Sequence, residues 1–303
     1  MAREAIAIDF GATWTRMAVV TRSGGIREMR RWKTPKSRKE IKDEIVRHVL
    51  EFHRLGVDRK AAVGIAAIGL LSVEKGRIVM APNLGQMSIN IVEMVKSVHR
   101  GDVVLINDCN AAAMAEKEYG VGRKYGDLVY VTISTGIGGG AIIDNRLLLG
   151  KDGNAAEIGH LVVDYESPIR CGCGGYGHWE ALCSGVGLVK LARHIVGRLV
   201  WRSSSDLLDD YLRGRRQASA VIDEAAKINA AGFASVFNAY DPEVVTVGGS
   251  LGLYRDGLLV RMASKELKRF ETVKAKLIPT PLGANAPLLG AAVAAFNPEL
   301  AIP

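Results

Sequence analysis

Residues 5–21 read AIAIDFGATWTRMAVVT, an apolar run that alternates, pauses at Gly11–Thr13 and resumes. The pattern predicts a strand, a tight turn and a return strand, closed by Gly24-Gly25. Residues 128–150, LVYVTISTGIGGGAIIDNRLLLG, repeat the plan with a turn around Thr135 to Gly140. Each hairpin heads a region of mixed strands and helices, so a duplicated domain is expected. Between them, residues 38–56 set Ile41, Ile45, Val49 and Phe52 at helical spacing and stop at Gly56, a suitable residue just past a helix end. AAVGIAAIGLL (61–71) reads as a buried strand leading into a turn. DVVLINDCNAAAMAEKEYG (102–120) reads as a buried strand, then Asn107-Asp108, then an alanine-rich helix ending at Gly120. Later come helices over 219–241, a strand over 243–250 and a final helix over 287–297. Strands alternating with helices define an α/β protein. The domain boundary is expected at a crossover near residues 108–112, with residues 287–303 returning to a first domain of 1–108 and a second domain over 109–286.

The chain has 303 residues, 48 % hydrophobic and 24 % charged, enough to bury a core in each of two domains. No run of about 18 apolar residues is present, and Glu4 and Asp9 interrupt the place of a signal-peptide core. A cytoplasmic protein with no membrane partner is expected. The net charge of +8 suits either nucleic acid or an anionic substrate. Its basic residues are interleaved with acidic ones, and no basic cluster alternates with aromatics, so no nucleic-acid partner is expected.

Both Gly/Thr-rich turns can present backbone N–H groups and a hydroxyl to phosphate oxygens, although neither is a Walker A loop. Asp9, before the first turn, has two readings: it holds Mg²⁺ through water, or it caps the turn. Asp108 likewise has two. At the mouth of a helix it can accept a proton from a substrate hydroxyl that attacks a phosphoryl group, or it can be the N-cap. Residues 171–180, CGCGGYGHWE, raise three possibilities: a metal site, a redox pair or a substrate loop. Clustered Cys and His point to a metal first. Cys171 and Cys173 are too close in sequence for an unstrained bridge, which leaves pairing with Cys183 as the redox alternative. The histidines His53, His99 and His194 fall in segments read as helical or loop surface.

AIDFGATWTR, INDCNAAAMAE, STGIGGG, GNAAEIGHLVVD, CGCGGYGHWE and VTVGGS, in this order, resemble the ROK family of sugar kinases and sugar-responsive repressors. The resemblance spans nearly the whole chain. It implies two domains of ribonuclease-H-like, actin-like ATPase topology with an interdomain active-site cleft. It also implies roles for single residues. Asp9, Gly11, Ala12 and Thr13 match the first phosphate loop, and Thr135, Gly136, Gly138 and Gly139 match the second. Asp108 matches the base that activates the sugar hydroxyl. Asn83, Asn107, Glu157, His160 and Glu180 match sugar-binding residues, while Gly248 and Gly249 match the segment against adenosine. A zinc ion in the family is held by a histidine and three cysteines. Here the matching ligands are His160, Cys171, Cys173 and, in place of the third cysteine, His178. Two thiolates with two imidazoles are a common tetrahedral zinc set. The alternative is that zinc is lost and packing holds the loop. One ring nitrogen of His160 is expected on the metal and the other at a sugar hydroxyl.

The segment AIGLLSVEKGR departs from the family pattern near the sugar, keeping Gly69 but not the residues around it. The resemblance implies an ATP- and Mg²⁺-dependent hexokinase phosphorylating the 6-hydroxyl of glucose, with structural zinc, in a homo-oligomer. An N-acylhexosamine kinase is the enzymatic alternative. A repressor would carry a DNA-binding domain of about 60–80 residues before the first hairpin; with the first strand starting within ten residues of Met1, that branch is not expected here.

Overall fold

β1 (Glu4–Phe10) and β2 (Trp14–Thr21) pair antiparallel about the expected turn, and the register sets Asp9 opposite Arg16. This computed structural model describes residues 4–81, 84–85, 87–151 and 153–301. The chain divides into two compact units. The first comprises Met1–Lys124, Asn145–Ala155 and Asn285–Pro303, and the second Tyr125–Asp144 and Ala156–Ala284.

In the first unit β3 (Ile26–Lys33) flanks β2, and α1 (Arg38–Arg54) follows. The Oγ of Ser37 caps α1 by accepting from the Glu40 N–H and donating to the Glu40 carboxylate. Ile41, Ile45, Val49 and Phe52 form the buried stripe read from the sequence. β4 (Ala62–Ala67) lies parallel to β1, β5 (Leu70–Ser72) and β6 (Arg77–Met80) form a separate hairpin, and α2 (Ile91–Lys96) leads to β7 (Val103–Asn107). The sheet order is β3-β2-β1-β4-β7. α3 (Asp108–Glu118) then packs against the C-terminal helix α9 (Ala286–Phe296). This unit therefore extends past residue 108, where the sequence reading ended its first domain. The reason lies in the alanines. A Cβ on Gly290 would sit 1.7 Å from the Ala111 carbonyl oxygen, and one on Gly64 1.8 Å from that of Ala291. Helix touches helix and strand at backbone distance, so α3 is inseparable from the layer beneath it. Gly290→Ala is expected to cost about 3 kcal/mol, the upper range for overpacking, measured by urea denaturation.

His99 is a correction to the sequence reading. It is buried rather than on the surface, with Nε2 2.8 Å from the Ala61 carbonyl and Nδ1 3.3 Å from Nε2 of His53. A carbonyl only accepts, so His99 carries its proton on Nε2 and His53 must donate from its own Nε2. The His53 pKa is lowered by burial first, then by His99 and Arg59, with Asp58 opposing. The unfolded chain thus binds a proton at His53 more readily than the native chain, and stability must fall as pH drops through and below about 6.5. Thermal melts between pH 7.5 and 5 are expected to shift downward, with a smaller shift in His53→Gln.

In the second unit β8 (Leu128–Ile133) and β9 (Ile137–Ile143) form the second hairpin. The turn is shorter than expected, occupying residues 134–136, with Gly138, Gly139 and Gly140 inside β9. Gly139 is small because Ile158 crosses it: a Cβ there would lie 2.6 Å from that side chain. After β10 (Arg146–Leu147), on the excursion assigned to the first unit, come α4 (Trp179–Cys183), α5 (Gly185–Val196), α6 (Ser204–Leu212) and α7 (Arg216–Tyr240). β11 (Val244–Gly248) runs parallel to β8, α8 (Leu258–Glu266) follows, and β12 (Lys276–Pro279) runs parallel to β11. Within the unit these strands lie in the order β9-β8-β11-β12. Trp179 is fully buried, edge-on to Phe233 of α7, and donates from Nε1 to Asn229 at 2.8 Å. It anchors the segment that follows the cysteines. Among the described residues no helix is long and apolar enough to cross a membrane.

Candidate active site

The parallel register aligns Phe10, Ala67 and Asn107 at the carboxyl ends of β1, β4 and β7. At about 4.8 Å per strand, the first turn and the Asn107-Asp108 pair lie about 10 Å apart along one sheet edge. Ligands of parallel α/β sheets bind at this edge, because chain leaving the strands there offers loops and helix N-termini.

At the first turn the Gly11 N–H donates to the Trp14 carbonyl at 3.2 Å, and a Cβ on Gly11 would come within 2.7 Å of that oxygen. Ala12 and Thr13 form its tip, with Thr13 exposed. Thr34 braces the turn from beside it, its N–H donating to Thr13 at 3.0 Å and its hydroxyl to the Gly11 carbonyl at 2.7 Å. Asp9 does not cap the turn. Its Oδ2 accepts from Nε and Nη2 of Arg16 at 2.8 and 2.5 Å, and Arg16 Nη1 reaches Asn285 at 3.3 Å. Burial raises the Asp9 pKa and Arg16 opposes the rise. Sequence reading missed Arg16, although pairing outward from the turn brings residues 9 and 16 together.

The cap of α3 is Asn107, whose Oδ1 accepts from the Cys109 and Asn110 N–H groups at 2.8 and 3.2 Å. This corrects the cap reading of Asp108, which is instead the first helical residue, with Oδ1 2.9 Å from the Cys109 N–H. With its oxygen occupied, Asn107 has only its amide N–H groups to offer a ligand. Asn83 lies outside the described residues.

The second unit gathers the other candidates. His160, Cys171, Cys173 and His178 bring one ligand atom each to within 4.8 Å of one another. Nδ1 of His160 is 3.3 Å from Nδ1 of His178 and 3.9 Å from Sγ of Cys171, and Sγ of Cys173 is 3.3 Å from Nδ1 of His178. A tetrahedron with Zn–N of about 2.05 Å and Zn–S of about 2.3 Å has N···N edges of about 3.3 Å and N···S edges of about 3.6 Å. The donor set fits zinc in chemistry, and the observed N···N and N···S separations lie within a few tenths of an ångström of those edges. Burial pushes the Cys171 thiol up to about 11 and lowers the His178 imidazole, with His160 adding to the latter. No disulfide joins Cys183 to the cluster. All four cysteines are free, and Cys183 is buried with its thiol on the Ala225 carbonyl.

His160 turns its other nitrogen, Nε2, toward Glu157 at 3.9 Å. The Glu157 side chain is 52 % accessible, so a ligand can reach it. Its carboxyl is raised above the ordinary value by desolvation, with His160 opposing and Glu180 adding. Glu180 bridges two features, accepting from the Ile137 N–H at 3.0 Å and facing Cys171 Sγ at 3.7 Å. Beside the turn, Gly248 ends β11 and Gly249 takes φ +83°. A Cβ on Gly249 would lie 2.3 Å from the Ile133 carbonyl, and one on Gly248 2.1 Å from the Tyr130 hydroxyl. Both glycines let the VTVGGS segment close against the turn.

A model of the ROK family matches residues 5–297. The chain belongs to the ROK family. A glucokinase of Pyrobaculum calidifontis is 36 % identical over 300 residues, covering 96 % of this chain and 95 % of that one. The ROK hexokinase of Thermus thermophilus superposes with a TM-score of 0.84 at 30 % identity, over 97 % of this chain and 98 % of its own. A ROK glucokinase of Streptomyces griseus, solved in complex with glucose and AMPPNP, gives 0.81 at 30 % identity over 96 % and 98 %. The α/β class with two units of actin-like ATPase type is thus that of the ROK sugar kinases.

Proposed function

We propose that this ROK protein is an ATP-dependent hexokinase that transfers the γ-phosphoryl group of ATP to the 6-hydroxyl of glucose. The observation that carries the reading is Asp108. It opens α3 at the carboxyl edge of the sheet while Asn107 does the capping, so the helix does not need it as a cap. Relatives of the same length and family that are glucokinases support the choice of sugar.

On this reading the Asp108 carboxylate accepts the proton of the 6-hydroxyl as that oxygen forms its bond to the γ-phosphorus and the bond to the leaving oxygen of ADP breaks. Glu157 and Nε2 of His160 meet ring hydroxyls, with Glu180 beside them, and Asn107 donates from its amide. Asn83 keeps its assignment to the sugar from the resemblance alone. Gly11, Ala12 and Thr13 present backbone and hydroxyl groups to phosphate. Thr135 and Gly136 do so from the second turn; Gly138 and Gly139, which follow it in β9, keep their phosphate-loop assignment from the resemblance alone, and Gly248 and Gly249 face adenosine. Mg²⁺ supplies charge neutralisation on the triphosphate, and Asp9 is the residue that would meet it through water. Zinc, held by His160, Cys171, Cys173 and His178, is structural: all four protein ligands are present, which leaves no open position for a catalytic water. The setting is cytoplasmic, where ATP and hexose are at hand, and the assembly is expected to be a homo-oligomer, which light scattering would test.

A coupled ADP-release assay with ATP, Mg²⁺ and a panel of hexoses and acetylated hexosamines tests the proposal. Glucose is expected to give the highest kcat/KM. Higher values with N-acetylmannosamine or N-acetylglucosamine would mean the N-acylhexosamine kinase instead, and no release with any sugar would overturn the enzyme reading.

A further inference from the structure

The turn at residues 134–136 is short, and hydrogen bonds from two neighbouring segments hold it. The Ile137 N–H donates to Oε2 of Glu180 at 3.0 Å, and the Ser134 carbonyl accepts from the Gly185 N–H at 2.7 Å. The Ile133 carbonyl accepts from the Leu251 and Gly252 N–H groups, both at 3.0 Å. Three of these contacts join backbone to backbone. Glu180 acts through a side chain and with a charge, whereas the other side-chain contact at the turn, between the Ser134 and Ser250 hydroxyls at 3.2 Å, is neutral. Its approach is close, since a Cβ on Gly136 would fall 2.3 Å from Oε2. Its other oxygen faces Cys171. Glu180 also sits two residues after His178, in a helix pinned by the buried Trp179.

We infer that Glu180 is a positioning residue for the phosphoryl donor: it holds the second phosphate turn in its binding shape before any sugar arrives. The inference rests on the kinase reading and goes beyond it, because a group that only meets sugar hydroxyls has no bearing on nucleotide affinity. A carboxylate accepting from a backbone N–H is a charge-assisted bond, about twice as strong as a neutral one. An oxygen so committed sets the direction of the Ile137 amide and, with it, the peptide between Gly136 and Ile137. Free of that bond, the Thr135-Gly136 backbone gains conformations that binding must then remove.

The test uses the full chain with its metal in place. Calorimetry with AMPPNP and Mg²⁺ in the absence of sugar is expected to show about tenfold weaker binding in Glu180→Ala, from loss of one charge-assisted hydrogen bond. Glu180→Gln keeps an oxygen that can accept from Ile137, and its AMPPNP affinity is expected to stay within about threefold of the parent. Gly136→Ala, which leaves Glu180 in the chain but pushes its carboxylate away, should match the loss in Glu180→Ala. Hydrogen exchange of the unliganded proteins gives a readout independent of function: the peptide covering residues 133–138 should exchange faster in Glu180→Ala and Gly136→Ala than in the parent or Glu180→Gln. Unchanged AMPPNP affinity and unchanged exchange in Glu180→Ala, with only glucose binding weakened, would overturn the inference and leave Glu180 a sugar ligand. If the parent protein binds neither AMPPNP nor glucose, the kinase reading itself fails, whatever the exchange data say of the turn.

Discussion

Asp108→Asn is expected to lower kcat for glucose by about 10²–10⁴-fold, the range for removing a general base, with little change in the KM for ATP. The substitution is nearly isosteric and keeps an oxygen for the Cys109 N–H. The cap of α3 is unaffected because it belongs to Asn107. Stability should therefore change by less than about 1 kcal/mol. That pairing of results separates the two roles an aspartate can have at a helix start. Had Asp108 been the cap, its loss would have registered in the melt and hardly in turnover. Steady-state kinetics with a urea denaturation of the same preparation provide the check. Turnover within threefold of the parent would sink the catalytic assignment.

Stripping the metal is expected to produce the second large effect. The purified protein should hold about one zinc per chain by elemental analysis, since two thiols and two imidazoles bring their ligand atoms to within 4.8 Å of one another. Ligand that binds only the folded state stabilises by about 4 kcal/mol when present at a thousand times its dissociation constant. For a chain of 303 residues such a change moves the melting temperature by about 6 °C. Treatment with a strong chelator should thus lower the melting temperature and weaken glucose binding, because His160 belongs to both the cluster and the wall facing Glu157. Cys171→Ser should lose zinc without any chelator. His178→Cys should retain it, with one more negative charge in the set. A native protein free of zinc, with an unaltered melt after chelation, would mean that packing alone holds residues 171–178.

The sequence carried most of the plan. Both hairpins and the α1 stripe ending at Gly56 could be read from local patterns, because alternation and 3.6-residue spacing are properties of neighbouring residues. Errors arose where distance in sequence hid closeness in space. The run of glycines at 138–140 looks like a turn, yet it is strand, made small by the crossing of Ile158. His99 looks like surface at the end of a polar segment, yet Ala61 and His53 surround it. The first unit passes residue 108 because alanine and glycine on α3 and α9 meet at backbone distance.

By itself the sequence determined the chemistry on offer: the order of motifs, the carboxylate at the end of β7, two glycine turns and a pair of cysteines followed by a histidine. Those are choices of residue type, and residue type is visible in one dimension. Tertiary structure decided which atoms those residues present. Only folding gives Oδ1 of Asn107 to the helix cap, assigns Arg16 to Asp9, brings the Nδ1 atoms of His160 and His178 to 3.3 Å, and lays the carboxylate of Glu180 on the amide of Ile137. Each hydrogen bond of that kind depends on direction as well as distance, and direction is set by elements far apart in the chain.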